Sequence, residues 1–198
     1  MHVIFCPFSE SLDSTRIVRE LLSQKKSLLL GLMPLDPYKK SPYRCFNSTF
    51  VGTDGDWVYR TIFYRKLENH RWKTCKYELK FIARDGVGTA LLDVAANGSE
   101  ELPPTVDPRY TVIFVTNSCI ILRDDKTAFS DKPIFFMWQL EQTYDYPYYD
   151  CLEVYEFISK RPGFDSRAEC NNCCDSMPQI MHMTHRDCGL DMSNINVP

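Results

Sequence analysis

Eight short runs of apolar or alternating residues, each closed by turn chemistry, restrict this chain to an antiparallel β architecture. They lie at 27–33, 43–51, 57–66, 72–83, 88–95, 110–116, 119–123 and 134–140. Asp54-Gly55, Asp85-Gly86 and Asn97-Gly98 supply residues that tolerate positive φ at the connections. The clearest alternation is Cys75-Lys76-Tyr77-Glu78-Leu79-Lys80-Phe81, which puts Tyr77, Leu79 and Phe81 on one face and three charged residues on the other. Such a strand belongs to a sheet with one wet and one dry surface. Near-neighbour hairpins without long helical crossovers favour an all-β, eight-stranded antiparallel up-and-down barrel. Asp13 is placed to cap a helix over 14–25 ahead of the first strand. A second helix over 148–159 follows the last, with Leu152, Val154, Tyr155 and Ile158 as its apolar face.

The 198 residues suit one domain with appendages: a leader or disordered start over 1–13, the barrel over 14–170, and a Cys-rich extension over 171–198. With 23 Lys and Arg against 26 Asp and Glu, the net charge of -3 gives no electrostatic footprint for nucleic acid or an anionic membrane. Nine cysteines spread along the chain suit disulfides and an oxidising compartment. The start, Met1-His2-Val3-Ile4-Phe5-Cys6, begins like a signal core without a basic leader or cleavage site, so the expectation is a secreted protein whose signal peptide is missing from this sequence.

Motifs sharpen the architecture. Tyr43-Arg44-Cys45, Asn117-Ser118-Cys119-Ile120-Ile121-Leu122, Phe136-Met137-Trp138, Asp150-Cys151-Leu152 and Ala168-Glu169-Cys170 stand in an order that resembles the tick histamine-binding proteins and their salivary lipocalin relatives, over roughly residues 14 to 170. The resemblance implies a lipocalin barrel secreted in saliva that sequesters a host mediator by binding alone. It also implies disulfides Cys45–Cys170 and Cys119–Cys151. Cys75 is then left to pair with a tail cysteine, Cys188 being the candidate, and Cys6 is the candidate odd thiol. Amine-binding members carry Cys-Asp at the mid-chain motif and Glu-Leu before the last-strand aromatic; here Cys119-Ile120 and Phe136-Met137-Trp138 make both acidic positions apolar. A buried cationic amine needs a carboxylate, so a lipid-like or aromatic ligand is expected ahead of histamine or serotonin.

The candidate ligand-binding residues are Trp57, Tyr59 and Phe63 on one strand face, with Tyr77, Phe81, Phe114, Phe136 and Trp138; core filling is the competing role for each. A shifted register would turn Glu78, Asp93 or Glu141 inward and revive amine binding. Asp145 and Asp150, set among Tyr144, Tyr146, Tyr148 and Tyr149, read as a tyrosine-rich loop. Asn47-Ser48-Thr49 and Asn97-Gly98-Ser99 are N-glycosylation acceptor patterns. Cys170, Cys173, Cys174, His182, His185 and Cys188 could hold zinc, but an oxidising compartment favours disulfides, so neither metal nor cofactor is expected. No nucleophile elbow, phosphate loop or metalloprotease motif appears, which argues against an enzyme. The rival in another class is a barrel scaffold whose loops bind a host immune or complement protein.

Overall fold

The computed structural model describes residues 10–34, 41–98, 101–103, 106–129, 133–141, 149–159 and 167–169. After helix α1 (Glu10–Leu22) come strands β1 (Leu28–Pro34), β2 (Tyr43–Asp54), β3 (Trp57–Glu68), β4 (Arg71–Asp85), β5 (Ala90–Ala96), β6 (Arg109–Val115), β7 (Cys119–Asp124) and β8 (Phe135–Leu140). Helix α2 (Tyr149–Ser159) and a short strand β9 (Arg167–Glu169) follow. Strands β2 through β8 are paired in order, β8 pairs with β1, and β1 returns to β2 through Leu28↔Ser48 and Leu29↔Asn47. The eight strands therefore close into an antiparallel barrel, which satisfies every strand edge within the ring. Strand β9, absent from the sequence expectation, adds to β1 from Leu32↔Glu169 to Pro34↔Arg167.

Helix α1 starts earlier than an Asp13 cap implies and ends at Leu22 instead of Lys25. Asp13 lies inside it and pairs with Arg16 at 2.7 Å, the i,i+3 contact an exposed helical surface allows. Its buried face is Val18, Leu21 and Leu22. Arg19 reaches Asp56 at 2.8 Å and the Gly55 carbonyl at 2.5 Å, and Thr15 donates to Asp85 at 2.6 Å. These contacts set α1 across the barrel end that carries the β2–β3 and β4–β5 turns, and Gly55 there has φ 55°. At the opposite end the β3–β4 hairpin turns on Asn69 (φ 49°) and His70 (φ 60°). Two successive left-handed residues match the twist of a two-residue hairpin, so pairing runs on to Glu68↔Arg71.

The main core fills the barrel interior. A second cluster of Leu32, Cys119, Ile121, Phe135, Met137, Cys151 and Tyr155 lies between the outer wall and α2. There the Cys119–Cys151 disulfide, Cα atoms 6.3 Å apart, bolts α2 to the start of β7. Closing a loop of 32 residues constrains the unfolded chain by ~3–4 kcal/mol in the chain-entropy account. Cys75 is also disulfide-bonded, with its partner outside the described residues. Cys170 and Cys188, the partners expected for the buried Cys45 and Cys75, lie outside the described residues, as do Asp145 and the Cys/His tail, while Asp150 falls in the first turn of α2. No helix among the described residues is long and apolar enough to cross a membrane.

Candidate functional site

Alternation along each strand decides which side chains enter the barrel. On β3 the inward set is Val58, Arg60, Ile62 and Tyr64, all buried. Trp57, Tyr59 and Phe63 do share a face, but it is the outer one, where Lys80 Nζ sits 4.9 Å from the Trp57 ring centroid. On β4 the inward residues are Cys75, Tyr77, Leu79 and Phe81.

The interior is not completely filled. A cavity of about 250 Å³ runs from Leu22 of α1 and Leu28 toward Ser41, Val106 and Tyr110 at the far rim. Its wall includes Leu79, Phe81, Leu92, Val94, Ile120, Leu122, Phe136 and Trp138. Three of the eight aromatic candidates, Phe81, Phe136 and Trp138, thus line it. Tyr77 also faces inward but belongs to a packed aromatic group: its ring stacks 6.2 Å from Tyr64, which stacks 5.4 Å from Phe46 and meets Tyr43 edge-on at 5.5 Å. Burial pushes the Tyr64 hydroxyl pKa well up. Phe114 packs in the cluster under α2 instead, because a bulge between Val112 and Phe114 shifts the β6 alternation.

No carboxylate lines the cavity among the described residues. Asp93 points outward into ion pairs with Arg84 (2.9 Å) and Arg109 (2.6 Å). Glu78 sits opposite Thr61 within reach of the Asn97 amide, and Glu141 is exposed. The register shift that would turn them inward does not occur. At the rim, buried Asp107 and Asp124 lie side by side behind Tyr110. Lys126 forms an ion pair with Asp107, its backbone N–H donates to Asp124 at 2.8 Å, and the Asp107 N–H donates to the Tyr110 hydroxyl at 2.9 Å. Burial, then the shared hydrogen bond with Asp107, raises Asp124 to about 6.

The residue that sequence reasoning missed is Arg60, fully buried beneath the cavity floor. Nε donates to Ser48 Oγ at 2.7 Å; Nη1 donates to the carbonyls of Leu22 (2.5 Å) and Gln24 (3.1 Å); Nη2 donates to those of Lys26 (3.0 Å) and Ser48 (2.7 Å). All five N–H groups are engaged, which makes the burial tolerable. Burial alone pulls its pKa down to about 10, so it remains a cation at neutral pH. Nothing in an isolated β-run announces an inward arginine, since its partners lie 12 to 38 positions away.

Of the two glycosylation candidates, Asn97 is exposed in the turn after β5. Asn47 sits within β2 with its Oδ1 buried and unpartnered among the described residues. Among the described residues no cluster of three or more His, Cys, Asp or Glu side chains could hold a metal ion.

Among solved structures the chain is similar to Japanin from Rhipicephalus appendiculatus bound to cholesterol, with a TM-score of 0.57 at 17% identity, covering 77% of this chain and 97% of that one. The fold is lipocalin-like. AM182 in its serotonin complex is similar at 14% identity with a TM-score of 0.49, covering 90% of this chain and 99% of that one. No protein-family model matches the sequence, and no curated protein does. The lipocalin resemblance carried by the cysteine and last-strand motifs and the likeness in coordinates agree on the barrel. In this lipocalin-like barrel the position after Cys119 is Ile120, which lines the cavity, and the last-strand pair that enters it is Phe136 with Trp138.

Proposed function

We propose that this is a secreted binding protein that captures a small lipid-like or aromatic ligand inside its barrel and thereby withdraws a host mediator. The observation that carries the reading is the cavity of about 250 Å³ walled by aliphatic and aromatic side chains with no carboxylate among the described lining residues. Burying about 200 Å² of ligand apolar surface there contributes on the order of 5 kcal/mol, enough to draw an amphiphile from water. A protonated amine gains nothing comparable, since its lost hydration has no counter-charge in the wall. The cholesterol in Japanin supports a ligand of lipid class. The disulfides support an extracellular setting, and binding without catalysis accounts for the whole site.

The test is native mass spectrometry of the secreted protein followed by fluorescence titration with fatty acids and sterols, read from Trp138 in the cavity wall. Co-purified lipid, or saturable quenching at micromolar concentrations, is expected. Bare protein with flat titrations for both classes overturns the reading.

A second reading, in which the barrel is a scaffold for a host immune or complement protein, is favoured by one observation. Apolar side chains stand out at the rim: Phe129 is fully exposed in the segment after β7, and Leu67 faces Trp72 across the projecting β3–β4 hairpin, both substantially exposed. Ligand-independent binding to a host protein that Phe129→Ser and Trp72→Ser abolish would establish it.

A further inference from the structure

The deep end of the cavity carries a hydroxyl that the protein itself leaves half used. Ser48 is 3% exposed and lines the cavity. Its Oγ accepts from Arg60 Nε at 2.7 Å, and no acceptor for its own hydrogen exists among the described residues. A hydroxyl that has already accepted a hydrogen bond from a cation is a stronger donor, because the bonds polarise one another. The other polar side chains of the wall differ. Ser41 Oγ, at the rim, is engaged by the Tyr43 N–H at 3.1 Å. The Tyr110 hydroxyl stands beside Asp107 and Asp124, carboxylates of the protein itself.

The charge behind Ser48 points the same way. Arg60 bonds only to neutral oxygens: the Ser48 hydroxyl and carbonyl, the Leu22 carbonyl at the end of α1, and the Gln24 and Lys26 carbonyls of the segment that follows it. The negative end of the helix dipole offsets roughly half a charge. No carboxylate pairs with Arg60 among the described residues, so a net positive potential stands at the floor of an otherwise apolar chamber.

We infer that Ser48, backed by Arg60, is the polar anchor of the cavity, selecting amphiphiles that enter head first with a carboxylate or other oxygen acceptor and an apolar tail. This deepens the capture reading and rests on it. The hydroxyl donates to the ligand oxygen while Arg60 holds that hydroxyl in place; Arg60 is a positioning residue, since its own donors are all spent. A cationic head at the same point would meet the Ser48 hydrogen and the arginine charge, so the anchor rejects amines of equal length.

The experiment is calorimetric titration of the full chain with decanoate, decan-1-ol and decylammonium at neutral pH, on wild type, Ser48→Ala and Ser48→Thr. Wild type should bind decanoate at least tenfold more tightly than decylammonium, with decanol between. Ser48→Ala should weaken decanoate and decanol about tenfold and leave decylammonium within twofold. Ser48→Thr, which keeps the hydroxyl, should restore the order. Thermal melts of the three proteins separate lost binding from lost folding, and the decylammonium titration is an internal control on the cavity. Equal affinities for the three heads, or equal losses for all in Ser48→Ala, overturn the anchor while leaving capture intact. Failure of wild type to bind any of the three overturns amphiphile capture and the anchor with it.

Discussion

Arg60 occupies a position where strand alternation calls for an apolar side chain, and its neighbours convert that anomaly into a device. Its guanidinium ties the end of α1 to β2 by accepting no disorder in either: five donors meet five acceptors drawn from two elements and the segment between them. Asp124 is the other residue whose environment alters its chemistry. Its carboxyl is raised to about 6, first by burial and then by the hydrogen bond it shares with Asp107. The unfolded chain releases this proton near pH 4, whereas the folded chain keeps it to about 6. Between those values the native state binds more protons, so this group's contribution to stability falls as pH rises through the window. Asp124→Asn keeps an acceptor for the Lys126 N–H and a donor for Asp107 without the charge. Urea unfolding at pH 4 and pH 7 should show wild type losing on the order of 2 kcal/mol more than the variant over that interval. Parallel losses in the two proteins would show that the pair does not share a proton.

Among the elements, β9 joins the barrel where the sequence offered only three residues before a cysteine. On one edge of β1, β2 pairs as far as Leu29↔Asn47, and β9 takes over at Leu32↔Glu169. β2 and β9 thus share one edge of β1 in succession. On the other edge, Gly31 sits at the irregularity where β1 meets β8, and a Cβ there would stand 3.0 Å from Gln139 Oε1. Cys75, buried on β4, is disulfide-bonded to a partner outside the described residues, and we propose Cys188 as that partner. A non-reducing peptide map should recover Cys75 linked to the Cys188 peptide, and removing both cysteines should cost ~3–5 kcal/mol in the chain-entropy account. Recovery of Cys75 linked to Cys170 or to another cysteine instead would overturn the assignment. The hairpins teach a related lesson. Asn97-Gly98 and Asp54-Gly55 were legible as turns because glycine adopts positive φ freely, while at Asn69-His70 the gap between two strand runs marked a turn without fixing its tight two-residue form, which rests on two successive left-handed residues.

For the whole molecule, capture and stability are linked, because a ligand that occupies the cavity binds only the folded barrel. At a hundredfold excess over its Kd the ligand should add about 2.7 kcal/mol, a rise in Tm of roughly 5–10 °C for a domain of this size. Scanning fluorimetry across a fatty-acid and sterol series measures it, and a Tm indifferent to every member would contradict binding inside the barrel. The order of elements, the antiparallel ring and the inward face of β4 were written in local patterns: a period of two with charges on one face only, and turn residues. Where both faces of a strand carry apolar groups, the same patterns say which residues share a face and not which face turns inward. Trp57, Tyr59 and Phe63 were grouped correctly and lie outside, because both faces of β3 are rich in apolar groups and the inner one carries an arginine. Phe114 left the interior through a single bulge. The sequence by itself determined the ring of strands, through short-range periodicity and chain order, and its family resemblance implied the Cys119–Cys151 staple. Only the tertiary structure decided that the chamber has no acidic side chain in its described wall and has a cation beneath its floor, because both depend on side chains brought together from strands and a helix far apart in the chain.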